Sequence, residues 1–403
     1  MSLLSRSPLS SSNKAESDLV SPTFSTLIAP MEAQLPHLPP LVSGSNRPLE
    51  YTFAHPARAL VYYHTETFSS GQALLQAAHE DPLAHQLMVP DSGLGKTTFY
   101  DANADRGGPQ MLALVHRLSK KVSKHLKVDH LDLGQLRAID GSLIQASLSM
   151  AWAEYSSTQR KAKAHMGFNL NQGLPWNLAL TEGKGAERPF VSSFLEERET
   201  GVVDRGYVDY QGFDAWIDEG KHFVARIRKK AQYEILESLA LPSGTKMFFF
   251  AKVQLGDEAH RMNHPVWLVG FKSRGKIYWI ATDRADLSAE QIAFIFALRW
   301  EIETFFAWWK RHLKVYHLIS RNYHGVWLQL LAGLVTYLLL VLYFHRKYGE
   351  RPSLQRLRSL RQQIRQETHA TLVSVYIPVY TIDIDLIFFS LIVLLWTLDQ
   401  AKS

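Results

Sequence analysis

The run from Val326 to Phe344, VWLQLLAGLVTYLLLVLYF, constrains the fold of this chain more than any other stretch. It is about as long as the shortest helix that crosses a bilayer, so it must either lie in lipid or be enclosed by protein on all sides. Gln329 and Thr336 interrupt it, and a polar, charged segment leads directly into it. That pattern favours a helix buried behind a sheet and predicts no membrane association. Leu386 to Leu398 is too short to span a bilayer as a helix and reads as a core segment or an apolar tail.

With 403 residues and 46% hydrophobic content, the chain can build two or three domains around a substantial core. The formal net charge of +6 weakly favours a polyanionic partner. Cysteine is absent, which excludes disulfides, thiolate nucleophiles and cysteine-ligated zinc or iron-sulfur centres. Any metal site must then use carboxylates or histidines, and a reducing, cytoplasmic setting fits.

Residues 1–50 are rich in Ser and Pro and read as a disordered leader and linker, with order expected from about Tyr51. Residues 51–130 read as a small all-helical, DNA-binding domain, with residues 69–127 the candidate for recognition of a DNA end. Its last helix, PQMLALVHRLSKKVSKHLK, carries Arg117, Lys120, Lys121, Lys124 and Lys127 without an acidic residue. This is either a solvated basic face or a surface for phosphates. PDSGLGKTT resembles a phosphate-binding loop, but Pro90 stands where the pattern needs Gly and no apolar strand leads into it, so it reads as a helix start.

From Leu136 the texture turns to strands: LRAIDGS, HMGFNL, WNLALTEG and GVVD, then a helix over YVDYQGFDAWIDEG and the strand HFVARIR. MFFFAKVQL, HPVWLVGFKS and KIYWIAT follow as a candidate meander, the last two joined by an Arg274-Gly275 turn. SAEQIAFIFALRWEIETFFAWWKRHL has no Gly or Pro and predicts one long helix, capped by Ser288 with Gln291 three residues on. Residues 346–403 hold a basic helix, RPSLQRLRSLRQQIR, able to hold DNA in trans, and the apolar tail.

At about 100° per residue, Phe296, Arg299, Glu303 and Lys310 fall in one narrow stripe of the long helix. Leu298, Ile302, Phe305, Trp309 and Leu313 form a second, apolar stripe that should face the core. Glu301 points about 160° away from Glu303 and is expected on the solvent side. Trp300, Trp308 and Trp309 read as core and rim packing in preference to base stacking. Glu303 lies between two cations on its own face, an arrangement that an ordinary ion-pair network would also produce.

Two aspartates raise the stakes: Asp140 closes LRAID and Asp204 closes GVVD, and α/β proteins place sites at such strand ends. Two strand-end aspartates and a helical glutamate are the donors that two hard divalent cations need, about 4 Å apart, to clamp a phosphodiester.

The stripe Phe296-x2-Arg299-x3-Glu303-x6-Lys310 resembles the Tyr-x2-Arg-x3-Glu-x6-Lys signature of a large group of DDE transposases from bacterial insertion sequences. AIDGSLIQAS and VVDRGYVDYQGF are similar to that family's first and second aspartate regions. The resemblance runs from about Ser69 to His345. It implies an α/β fold: an RNase H-like catalytic core over 131–345, with a β-rich insertion at about 231–286 behind the small helical domain. It implies Asp140, Asp204 and Glu303 as a catalytic triad binding Mg2+ or Mn2+, two ions. The reaction implied is cleavage of transposon ends and strand transfer into target DNA.

The partners implied are double-stranded DNA, both element inverted repeats and target, with a homodimer in the DNA complex. By the same resemblance Arg299 and Lys310 contact DNA, and Arg205, Tyr207, Lys163, His165 and Phe296 are further candidates for DNA contact. For Lys163 and His165, and for Arg205 and Tyr207, a structural role stays open. Phe296 stands where the family has Tyr, so it could only stack. The C-terminal stretch does not resemble the family's usual end, which leaves a non-cutting, DNA-binding derivative as the alternative.

Overall fold

A computed structural model describes residues 22–41, 49–66, 68–185, 191–241, 244 and 246–376, with side chains as far as residue 369. Residues 1–21 and 42–48 of the expected leader and linker, and the apolar tail from 377 onward, lie outside the described residues. Order nevertheless begins well before Tyr51. Helix α1 (Pro22–Glu32) buries Phe24, Leu27 and Met31 completely. These three sit at the helical spacing of one face, a pattern hidden among the surrounding serines and prolines.

Helices α2 (Ala54–Thr65), α3 (Gly71–Glu80), α4 (Pro82–Met88), α5 (Lys96–Asp105) and α6 (Gly108–Ser123) follow. The phosphate-loop look-alike is the start of α5, with Gly95 as its N-cap. These helices do not build a core of their own: their buried side chains merge with those of α10 (Tyr323–Tyr348) and of the sheet in one cluster. The reason lies in α10, which is apolar all round and must be covered on every side.

Among the described residues α10 is the one helix long and apolar enough to cross a membrane, and 94% of its most apolar window is buried within the protein. Its two interrupting polar residues are satisfied inside the protein. Gln329 donates to the His317 carbonyl (2.8 Å) and accepts from the Ile319 N–H (2.8 Å), and Thr336 donates to the Ala332 carbonyl (2.9 Å). Tyr323 and Trp327 donate to the Leu180 and Leu178 carbonyls of β3 (3.1 and 3.0 Å), fastening α10 across the edge of the sheet.

The sheet has nine strands: β1 (Gln135–Ala146), β2 (Arg160–Asn169), β3 (Leu174–Glu182), β4 (Glu199–Val203), β5 (His222–Arg226), β6 (Tyr233–Ser238), β7 (Met247–Leu255), β8 (Val266–Ser273) and β9 (Lys276–Thr282). Their order is β3-β2-β1-β4-β5-β9-β8-β7-β6. β1, β4 and β5 run parallel, β2 and β3 are antiparallel to their neighbours, and β9 joins β5 antiparallel. The meander thus extends the main sheet, with β6 added to the three expected strands. Arg274 (φ 46°) and Gly275 (φ 75°) are both left-handed and make the two-residue hairpin turn between β8 and β9. Helix α7 (Tyr210–Asp218) packs against β5.

The expected single long helix is two: α8 (Ala289–Leu298) and α9 (Trp300–His312). Ser288 caps α8, its hydroxyl accepting from the Gln291 N–H (3.2 Å) while the Gln291 side chain accepts from the Ser288 N–H (2.9 Å). At the junction the Arg299 N–H donates to the Phe296 carbonyl (3.3 Å) and the Ile302 N–H to the Arg299 carbonyl (3.2 Å). These three-residue bonds mark a tightened turn.

The final helix, α11 (Leu354–Tyr376), spends part of its charge internally. Arg361, 7% exposed, donates from Nη1 to the carbonyls of His64, Thr65 and Glu66 (3.1, 2.9 and 3.2 Å). It satisfies acceptors left over at the C-terminus of α2. Arg365 pairs with Glu66 (3.1 Å), and Arg351 just ahead of α11 pairs with Asp129 (3.0 Å). These side chains dock α11 onto the rest of the fold.

Candidate active site

Register places the first two aspartates. In the parallel β1–β4 pair Ala138 lies opposite Val202 and Ile139 opposite Val203. The next step brings Asp140 and Asp204 side by side on the sheet face that carries Ala138 and Val202. Asp140 does not end its strand: β1 continues to Ala146, paired with β2 alone. The carboxylate stands where the parallel neighbour β4 stops, so the sheet opens beside it. Asp204 follows the last residue of β4 and opens a short 3-10 turn over Arg205–Tyr207.

Helix α9 supplies the third carboxylate from above. Ile302, Phe305, Trp309 and Leu313 are buried as expected, and Trp309 closes against Gly333 of α10. This holds Glu303 facing β1, with its side chain 33% exposed. Between the two elements lies Arg299, its side chain 5% exposed. It donates from Nη2 to Glu303 Oε1 (2.6 Å) and from Nη1 to Asp140 Oδ2 (3.3 Å). Lys310, two turns on, donates to the Ser142 hydroxyl (2.9 Å), which shares the Asp140 face of β1. Burial pulls the Lys310 ammonium below its ordinary pKa.

Asp140 is pushed up to about 6. Burial is the main cause, reinforced by the charges of Glu303 and Asp204 and opposed by Arg299 and by the Gly141 N–H, which donates to Oδ1 (2.8 Å). A carboxyl so placed binds protons and cations readily. Asp204 Oδ1 is buried and accepts no hydrogen bond from the described residues, and Arg226 Nη1 stands 3.6 Å from it. Arg226 was not singled out from the sequence. Only the β4–β5 pairing, with Val203 opposite Ala225, brings it beside Asp204, where its guanidinium lies 4.7 Å over the Tyr278 ring.

The remaining candidates scatter. Lys163 and His165 lie opposite Leu143 and Gly141 in the β1–β2 pair and so project from the other face of the sheet from Asp140. There Lys163 Cε, the Tyr207 hydroxyl and His165 Nδ1 gather around Gly141. His165 is fully buried beside the Thr181 hydroxyl (3.0 Å), and burial holds its ring near pKa 4. Tyr207 and Phe296 are 3% and 4% exposed, so neither ring is open to an outside ligand here. Phe296 is packed in the core, where its ring lies under the Arg299 guanidinium (5.5 Å). Arg205 is exposed.

Glu301 does face away from Glu303 but is no simple solvent carboxylate. It lines a cleft of about 530 Å3 with Tyr337 and Leu354, 3.6 Å from Arg351, and burial raises its pKa. Trp308 and Trp309 are buried, and Trp300 is 59% exposed.

The donor set suits a hard divalent cation: carboxylates alone, one with a buried oxygen lacking a hydrogen bond. Among the described residues, however, no three His, Asp or Glu side chains are close enough together to hold one. Arg299 stands where Asp140 and Glu303 would otherwise approach, so a cation shared by both requires the guanidinium to move aside.

The mixed α/β fold, a large sheet with helices, is consistent with a DDE transposase domain. The family model described as "Transposase DDE domain" matches residues 132–339, and the chain belongs to that family. It is 26% identical over 209 residues to the "Probable transposase for insertion sequence element IS5377" of Geobacillus stearothermophilus, covering 51% of this chain and 55% of that protein. It is 25% identical over 269 residues to a Synechocystis protein whose name assigns it as a transposase to insertion sequence element IS4SA, covering 66% and 76%.

Proposed function

We propose that this protein is a metal-dependent DNA transposase that cuts the ends of its element and joins them to target DNA. The convergence of Asp140, Asp204 and Glu303 from β1, β4 and α9 carries the reading, and family membership supports it. The strand order β3-β2-β1-β4-β5, with β2 alone antiparallel to β1, supports an RNase H-like core with β6–β9 as its insertion.

Mg2+ or Mn2+, two ions by the family pattern, would supply Lewis acidity at these carboxylates to activate first water and then a 3′-hydroxyl against a phosphodiester. The chain's own cations complete the site. Arg226 and Lys310 flank the carboxylates and can neutralise phosphate oxygens, and Arg299, once released, can do the same from the helix. The partners are double-stranded DNA, as inverted repeat and as target, and a second copy of the chain in the complex.

The test is cleavage of duplex carrying the element's terminal repeat. Wild type should nick it only with a divalent cation. Glu303→Gln and Asp204→Asn should lose at least 100-fold in rate while binding the duplex with little change. Full activity in Glu303→Gln would overturn the assignment. Tight binding by wild type without any cutting would instead establish the alternative, a DNA-binding derivative.

A further inference from the structure

We infer that a second, cationic cleft beside the carboxylates seats the phosphate backbone of a DNA strand, a role that rests on the transposase reading. The cleft measures about 810 Å3 and lies between the N-terminus of α7 and the turn after β5. Its polar lining is Arg205, Tyr210, Gln211, Arg228, Lys230 and His260, with Asp209 the one carboxylate.

The state of its cations marks it as an anion site. Among the described residues Arg205, Arg228 and Lys230 enter no ion pair. Several cationic neighbours do: Arg226 with Asp204, Lys221 with Glu219, Arg261 with Glu234 and His264 with Asp218. Three unpaired cations around one concavity repel one another and gain from a bound polyanion. Next, α7 points its first turn into the cleft, and the Asp209 side chain accepts none of that turn's N–H groups. Its carboxylate lies over that turn, with Cγ 3.3 Å and Oδ2 3.4 Å from where a Cβ on Gly212 would lie, so it is the cations and not the helix end that recruit an anion. His260, for its part, is bound to Asp257.

Position selects a polymer over a single phosphate. Arg205 follows Asp204, and Arg228 lies two residues beyond Arg226, the cation beside Asp204. With about 3.8 Å between consecutive Cα atoms, the cleft begins within a nucleotide or two of a phosphate held at Asp204. Cations on two separate elements suit successive phosphates of one strand.

Fluorescence anisotropy of the full-length protein without divalent cation, from 50 to 200 mM salt, tests this. The probes are a duplex bearing the terminal repeat and an unrelated duplex as target. Arg228→Ala/Lys230→Ala should flatten the slope of log affinity against log salt by about 1.8, and Arg205→Ala by about 0.9. Arg261→Ala, which removes a paired cation from a nearby loop, should leave it unchanged. Flattening with the repeat duplex alone assigns the seat to the element end. Flattening with the unrelated duplex alone assigns it to target, and with both, to either strand. An unchanged slope with both probes overturns the seat. Wild-type protein that binds DNA but never cuts it overturns the proposed activity and not the seat, because these measurements need no cleavage.

Discussion

Replacing Arg299 by Gln removes the cation that joins two of the three carboxylates while leaving the helix turn able to form. The guanidinium side chain is 5% exposed, and those of its partners Asp140 and Glu303 are 20% and 33% exposed. Breaking a buried ion pair from one side costs about 3–5 kcal/mol. The Glu303 arm is a third open to water and screened, so the loss expected here is about 2–3 kcal/mol. A divalent cation binding between the freed carboxylates at a hundred times its Kd would return about 2.7 kcal/mol. In wild type the cation must first displace Arg299, so its gain is smaller. Urea unfolding in EDTA and in excess Mn2+ measures both effects. Arg299→Gln should be clearly less stable than wild type in EDTA and close to it in Mn2+. Equal stability in EDTA, or equal stabilisation of both proteins by Mn2+, would refute the view that Arg299 stands in for the metal.

Two other perturbations probe the scaffold. A methyl group at Gly333 would meet Trp309 Nε1 and Val315 Cγ1, each at 2.8 Å, and Trp309 is fully buried. Gly333→Ala should cost about 1–3 kcal/mol in urea unfolding and reduce cleavage further by shifting α9 and Glu303; wild-type stability would refute the close approach of α9 and α10. His165 is held neutral in the fold, near pKa 4 against an ordinary 6.5. The unfolded chain therefore binds more protons between those values, and stability present in full above pH 6.5 falls by roughly 3 kcal/mol as pH drops to 4. His165→Gln should flatten that fall in urea midpoints between pH 7.5 and 4.5, with buried His64 supplying the part that persists; an identical pH profile would show that His165 is not the group.

Local sequence determined much of this protein. The capping box at Ser288, the Arg274-Gly275 turn, the strand segments and the buried face of α9 depend on neighbours a few residues away, so spacing reveals them. The apolar run of α10 likewise announced that something must surround it. Which elements do so, α1, α2, α5, α6, α11 and β3, was decided only in three dimensions.

The site divides in the same way. Asp140, Asp204 and Glu303 were legible as candidate carboxylates, though Asp140 lies inside β1 and not at its end, and the sheet register makes the first two neighbours. Pairing of distant strands placed Arg226 beside Asp204 and turned Lys163 and His165 to the opposite face. Packing of this helical stripe against the sheet buried Phe296 and set Arg299 between Asp140 and Glu303. Helical periodicity is a property of a segment, whereas register between strands and the pitch of one turn are set by what packs against them. For this chain, residue types and spacing determined the chemistry available, and tertiary packing decided which charges meet.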